Sequence, residues 1–303
     1  MFRVYSIKRI AAVVLSAVLT ICCVALLQVE RAKTVSGDYI KWVDFTPTTS
    51  VLRQALDIDI QSHDSDTPVS WIELLAYAAC KNGGKFTSGK DKYITQLYER
   101  IQNAEDIQTI TADMKYYNYY YEAYSAVLSG YVGYNDDGEY GVLVYSPFAA
   151  GYYYSHYDDF GASRSYGYKR KHLGHDMMGS VGTPIVAVEG GRIEALGWNQ
   201  YGGWRVGIRS NDGRRYYYYA HLRKNKPFAE GLKEGDTVKA GQLIGYLGMT
   251  GYSSKENVNN INTPHLHFGI QLIFDESQKD GVNQIWIDCY QIICFLEKYR
   301  AKI

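Results

Sequence analysis

The stretch Thr263-Pro264-His265-Leu266-His267-Phe268-Gly269-Ile270 has the residue types for chemistry on one side and for a core on the other. If it is a strand, its side chains alternate between two faces. Leu266, Phe268, Ile270 and Leu272 then pack inward, and His265, His267 and Gly269 face the other way. Two adjacent imidazoles over a glycine floor suit a metal or proton-transfer site, provided that the chain supplies further ligands. Five of the seven histidines fall between residues 172 and 267. His172-Leu173-Gly174-His175-Asp176 offers an imidazole and a carboxylate four apart. In the run Arg214 to His221, regular alternation puts Tyr217, Tyr219 and His221 on one face. Three nitrogen or oxygen ligands leave a fourth position for water, as in a catalytic zinc site. Neighbouring histidines can take and return protons.

The elements that must position these residues fall into two zones. From Gly130 onward, glycines alternate with short β-rich runs. Strands are predicted at Arg192–Trp198, Trp204–Arg209, Arg214–Leu222, Leu243–Leu247 and His265–Phe274, with a further strand and turn at 182–191. Many short strands at close spacing predict an antiparallel β domain instead of βαβ units. Before it lies a helical zone. Thr49 or Ser50 can cap a helix from Val51, and Ser70-Trp71-Ile72-Glu73 is a capping box flanked by the staple pair Val69 and Leu74. That helix stops at Asn82-Gly83-Gly84. Two more helices are predicted over Lys92–Ile101 and Ala112–Leu128, the latter with Met114, Tyr117, Tyr121, Tyr124 and Leu128 as a packing stripe. A last helix, Cys289–Tyr299, is capped by Asp288.

Residues Ile10 to Leu27 are eighteen residues without a charge, preceded by Arg3, Lys8 and Arg9. This length and flank predict an uncleaved signal anchor with its N-terminus in the cytoplasm, over a cleaved signal peptide. The expected organisation is α+β: residues 1–9 cytoplasmic, 10–29 a transmembrane anchor, 30–48 a tether, 49–130 helical, 131–275 the β domain and 276–303 a C-terminal helix. Net charge is zero, which gives no pointer to a nucleic acid. Tyrosine is the unusual component, at 30 of 303 residues, and fits a surface protein that meets sugars or peptides. The five cysteines have neither disulfide-framework nor zinc-ligand spacing and read as packing residues.

Residues 146–274 resemble the lysostaphin-like zinc metallopeptidases that cut peptidoglycan peptides. The motifs that carry the resemblance are His172-Leu173-Gly174-His175-Asp176, Gly182-Thr183-Pro184-Ile185-Val186-Ala187, Tyr219-Ala220-His221-Leu222, Val238 to Gly245, Thr250-Gly251-Tyr252-Ser253 and His265-Leu266-His267-Phe268. The resemblance implies one zinc per chain held by His172, Asp176 and His267, with His221 and His265 as the catalytic pair. It also implies a groove that accepts wall peptides. Tyr217 and Tyr219, on the same predicted face as His221, are candidate substrate contacts. His175 lies between ligand positions that the family pattern uses and is not expected to bind metal, and His156 is expected in a surface loop.

Two departures from the family pattern stand out. Phe160-Gly161-Ala162-Ser163-Arg164 has one residue more than the usual Phe-Gly-x-Arg, which leaves the part played by Arg164 open. Ser254–Asn262 is a polar insertion expected to shape the groove. The expected function is that of a membrane-anchored endopeptidase outside the cytoplasm, in a bacterium that is Gram-positive on this reading. The alternative is a degenerate relative serving as a wall- or partner-binding scaffold, in which the helical region would dock a protein. All five metal and catalytic positions are filled here, which favours the enzyme.

Overall fold

The computed structural model describes residues 39–303 apart from Gly167 and Val282. The predicted membrane segment Ile10–Leu27 lies outside the described residues. Among those described, no helix is long and apolar enough to cross a membrane.

Helix α1 (Thr49–Ser62) begins two residues before its predicted start at Val51. Thr49 does not cap it, because its hydroxyl donates to the Gln291 backbone carbonyl at 3.0 Å, a contact with the C-terminal segment. Helix α2 (Trp71–Asn82) carries the predicted capping box, with Ser70 and Glu73 satisfying one another, and ends at Gly83 with φ +62°. Helix α3 (Lys92–Gln102) is capped by Asp91. The helix predicted over Ala112–Leu128 starts five residues later than expected, and a short helix precedes the predicted span. A short α4 (Ile107–Thr111) is followed by turn bonds from Met114 N–H to Thr111 and from Tyr117 N–H to Met114, and α5 runs only over Tyr117–Leu128. Tyr117, Tyr124 and Leu128 are buried as expected, but Tyr121 is 42% exposed and stacks on Tyr117.

The strands follow in order: β1 (Val132–Tyr134), β2 (Tyr140–Val142), β3 (Ser155–His156), β4 (Ser163–Tyr166), β5 (Tyr168–Lys171), β6 (His175–Met178) and β7 (Pro184–Val186). They continue with β8 (Gly191–Asn199), β9 (Gly203–Ser210), β10 (Arg215–Ala220), β11 (Thr237–Val238), β12 (Leu243–Tyr246), β13 (His265–Leu272) and β14 (Ile285–Ile287). Helix α6 (Tyr290–Leu296) closes the chain, with the Asp288 carboxylate accepting from Tyr290 N–H at 2.9 Å.

The main sheet is antiparallel in the order β11-β8-β9-β10-β13-β6-β3, with β14 beside the far end of β13. The stretch with the paired histidines is thus a central strand. Register follows from its apolar face: Leu266, Phe268, Ile270 and Leu272 are all fully buried. Small two-stranded sheets are formed by β12 with β7 and by β4 with β5.

Residues Ile40–Ile303 are one compact unit, and the main apolar core runs from Leu52 and Leu74 in the helices to Tyr217 and Phe268 in the sheet. A buried guanidinium secures this union. Arg215 on β10 grips both carboxylate oxygens of Glu189 at 2.9 and 3.0 Å, and donates to the carbonyls of Ala126 and Ser129 at the end of α5, both at 2.7 Å.

Candidate metal centre and catalytic histidines

Asp176 on β6 and His267 on β13 are cross-strand partners, so they share a face of the sheet. His172 reaches the same point from the segment just before β6. Gly174 makes that approach possible, since a Cβ there would lie 2.6 Å from the His267 ring and 2.7 Å from the Phe268 carbonyl. Three donor atoms form a triangle. His172 Nε2 is 3.1 Å from Asp176 Oδ1 and 2.9 Å from His267 Nδ1, and His267 Nδ1 is 3.0 Å from Asp176 Oδ1. An ion with bonds of about 2.0–2.2 Å fits above such a triangle, and the two imidazoles with one carboxylate are a zinc-type donor set. It is the one cluster of this kind among the described residues.

A second layer holds these donors in place, and the sequence reading missed its centre. Asp159 is buried, with Oδ2 3.1 Å from His172 Nδ1 and Oδ1 3.4 Å from His175 Nδ1. Because a carboxylate accepts, His172 Nδ1 carries the proton and Nε2 is turned to the donor triangle. Arg164, whose part the displaced motif left open, donates to Asp159 Oδ2 at 2.7 Å and Asp176 Oδ2 at 3.2 Å. Asp159 stands in no recognised motif, and only its acidity hinted at a role. Asp159→Asn removes the carboxylate that orients His172 and is expected to weaken zinc binding about 10–100-fold. Competition with a chromophoric chelator measures this, and unchanged affinity would show the contact to be incidental.

Burial would lower the His172 pKa, but hydrogen bonds to Asp159 and Asp176 overturn that and raise it to about 9. Burial would raise the Asp176 carboxyl, yet bonds from His172 and His267 hold it well below the ordinary range. Without metal, then, His172 is protonated at neutral pH. Its raised pKa stabilises the metal-free fold fully below about 6.5, and this contribution is lost as pH rises through about 9.

His221 and His265 stand beside the triangle, with ring centroids 4.8 Å apart. His221 Nδ1 donates to the Thr250 carbonyl and His265 Nδ1 to the Thr263 carbonyl, each at 2.8 Å. A carbonyl can only accept, so both tautomers are fixed and both Nε2 atoms keep a lone pair. Burial, with His265 and His267 alongside, drives the His221 pKa well below the usual value and keeps that ring neutral. His265 Nε2 lies 3.7 Å from Asp176 Oδ1.

The register corrects two sequence expectations. Tyr217 pairs with Ile270 and Tyr219 with Phe268, both core residues, while Tyr218 and Ala220 pair with Gly269 and His267. Tyr217 and Tyr219 are therefore fully buried and cannot contact substrate. The Tyr217 hydroxyl donates to Glu189 and the Tyr219 hydroxyl accepts from Val188 N–H. Regular alternation would have buried His221 with them. Instead its φ of +63° breaks the alternation and swings the imidazole to the site. Gly251 accommodates it closely, since a Cβ there would sit 3.0 Å from His221 Nδ1.

His175 is directed away from the donor triangle, and its Nε2 lies 2.7 Å from His156 Nδ1. His156 is not a loose loop residue. It sits on β3 and also contacts Glu297 at 3.1 Å. The insertion Ser254–Asn262 does not line the groove. Its Asn257 accepts from the Trp204 indole N–H at 2.9 Å and from Asn225 N–H, and it is Tyr252, just before the insertion, that reaches the site. The groove itself encloses about 700 Å³ and runs from His172 and His221 past Tyr218 towards Lys279.

Residues 170–283 match Peptidase family M23. This segment is an M23 peptidase domain. The chain is 36% identical over 148 residues to the L-Ala--D-Glu endopeptidase of Bacillus subtilis, a match covering 48% of this chain and 42% of the relative. It is 44% identical over 98 residues to the glycyl-glycine endopeptidase ALE-1 of Staphylococcus capitis, covering 32% of this chain and 24% of the relative. The chain thus spans less than half the length of either. A crystal structure of a Ruminococcus gnavus protein named as a glycyl-glycine endopeptidase superposes with TM-score 0.57 at 28% identity, covering 86% of this chain and 92% of that one. Residues 170–283 alone cannot fill that share, so the likeness extends beyond the M23 domain into the rest of the unit.

Proposed function

We propose that this chain is a zinc-dependent endopeptidase of peptidoglycan peptides, held at the membrane by Ile10–Leu27 with its M23 domain outside the cytoplasm. The observation that carries the reading is the convergence of the His172–Asp176–His267 donor triangle with two histidines whose tautomers are fixed by backbone carbonyls. The names of the M23 relatives, which cut L-Ala–D-Glu and glycyl-glycine bonds, support a wall-peptide substrate.

Zinc bound by the three donors would polarise the scissile carbonyl and lower the pKa of a water to about 7. His221, neutral and desolvated, would orient an attacking water through its Nε2 lone pair. His265, less enclosed and with its Nε2 3.7 Å from Asp176 Oδ1, would take a proton from the attacking water and return it to the leaving amine. The Asp159–Arg164 layer keeps the first ligand in its productive tautomer.

Digestion of purified cross-linked wall fragments by the zinc-loaded full chain, followed by mass spectrometry, should release peptides and identify the bond cut. Full zinc occupancy with no release from any fragment would favour the scaffold alternative. Membrane fractionation of cells should find the chain with the membrane, and recovery in the soluble fraction would count against the anchor. Metal loading carries its own signature. Zinc must displace the His172 proton, so near pH 7.5 each ion bound should release about one proton. Calorimetry in buffers of different ionisation enthalpy reads this directly, and no buffer dependence would contradict the raised pKa.

A further inference from the structure

The charged residues of the groove are unevenly matched. Glu194 is bonded to Arg209 at 2.9 Å and to Lys279 at 3.1 Å, and Asp280 lies 3.6 Å from Lys279. Asp176 belongs to the donor triangle, and Glu234 and Lys171 also line the groove. Two guanidiniums that line the same groove, Arg170 on β5 and Arg205 on β9, have no carboxylate partner among the described residues. Arg170 is held flat, with its guanidinium 5.2 and 5.0 Å from the ring centroids of Tyr201 and Tyr252, and it donates to the Tyr252 hydroxyl at 2.6 Å. Arg205 is half-buried on the floor, on the face that β9 shares with Tyr218.

Tyr218 lines the same groove as both cations. Burial raises the Tyr218 phenol, and the charges of Arg205 and Arg170 each act to lower it. The Tyr218 hydroxyl accepts from the Asn199 amide at 3.0 Å, and its ring centroid is 5.9 Å from that of the metal-ligand candidate His267. A peptide residue spans about 3.3–3.6 Å, so the separation of the Tyr218 and His267 rings corresponds to one or two residues of a bound peptide. One guanidinium pre-oriented by aromatic contacts and a second on the same groove wall, with a phenol that can donate, suit a carboxylate.

We propose that Arg170 and Arg205, which line the groove together with Tyr218, bind a free carboxylate carried by the substrate one or two residues from the scissile amide. The inference rests on the peptidase reading and narrows it. The substrate class is an acidic stem peptide, and an oligoglycine bridge, which has no carboxylate there, is disfavoured.

The test compares two synthetic stem peptides of identical sequence, one with that carboxylate free and one with it as the carboxamide. With the zinc-loaded full chain, the free acid should have at least a tenfold higher kcat/KM. In Arg205→Gln and Arg170→Gln this preference should fall by roughly ten- to a hundredfold or to parity, mainly through KM, as expected for loss of a charge-assisted hydrogen bond. Equal kcat/KM for the two peptides in the unaltered chain would overturn the inference while leaving the peptidase reading intact. So would Arg variants that slow both peptides alike. If neither peptide is cut, calorimetry of the pair on the zinc-loaded chain decides. Tighter binding of the acid by tenfold or more upholds the receptor, and equal binding overturns it even if the peptidase reading fails separately.

Discussion

His267→Ala is expected to abolish both zinc binding and wall-peptide hydrolysis, whereas His265→Ala, two residues away, should keep the metal and lose only the hydrolysis. His267 Nδ1 is a corner of the donor triangle, within 2.9 and 3.0 Å of the other two donors, and two remaining donors make a poor zinc site. His265 contributes a lone pair beside the triangle, and removal of a positioned proton carrier typically costs about 10²–10⁴ in rate. Zinc content per chain by mass spectrometry, read beside the rate of peptide release, separates the two roles. Loss of zinc from His265→Ala would make that residue a ligand and remove it as the proton carrier.

Arg215→Met should cause a large loss of stability, although the residue lies in no motif. Its guanidinium is fully buried, grips Glu189 through two parallel bonds and satisfies two carbonyls at the end of α5. Methionine fills much of the volume but leaves the Glu189 carboxylate buried without its cation. Breaking a buried pair from one side costs about 3–5 kcal/mol. In a unit of this size that lowers Tm by roughly 10 °C. Scanning calorimetry of the metal-free chain measures it, and a shift of only a degree or two would mean that solvent reaches the pair. Restoring neutrality with Glu189→Gln in the same chain should recover part of the loss, because the uncompensated charge is then removed.

The helices illustrate the reach of local signals. The Ser70–Glu73 capping box and the Gly83 stop were legible because each is satisfied within one turn of chain. The late start of α5 was not. The helical stripe through Met114 and Tyr117 is compatible with a continuous helix, and only the turn bonds around Met114 interrupt it. That the helices join the core of the sheet was equally hidden, since it depends on Arg215 meeting carbonyls almost ninety residues earlier in the chain.

By itself the sequence determined the strand of Leu266, Phe268, Ile270 and Leu272 against His265 and His267, because period-two burial fixes which way each side chain turns. It also supplied the His172, Asp176 and His267 set, through ordered motifs that resemble a known peptidase family. Tertiary structure decided what regular alternation misassigned. A left-handed φ at His221 turns it into the groove, while Tyr217 and Tyr219 go to the core and Tyr218 takes the groove position predicted for them. Tertiary structure also brought Asp159 and Arg164 behind the donors and left Arg170 and Arg205 without carboxylate partners in the groove. The physical division is one of range. Alternation and capping act between near neighbours, whereas ligand support and charge pairing depend on which distant strands and loops come to lie side by side.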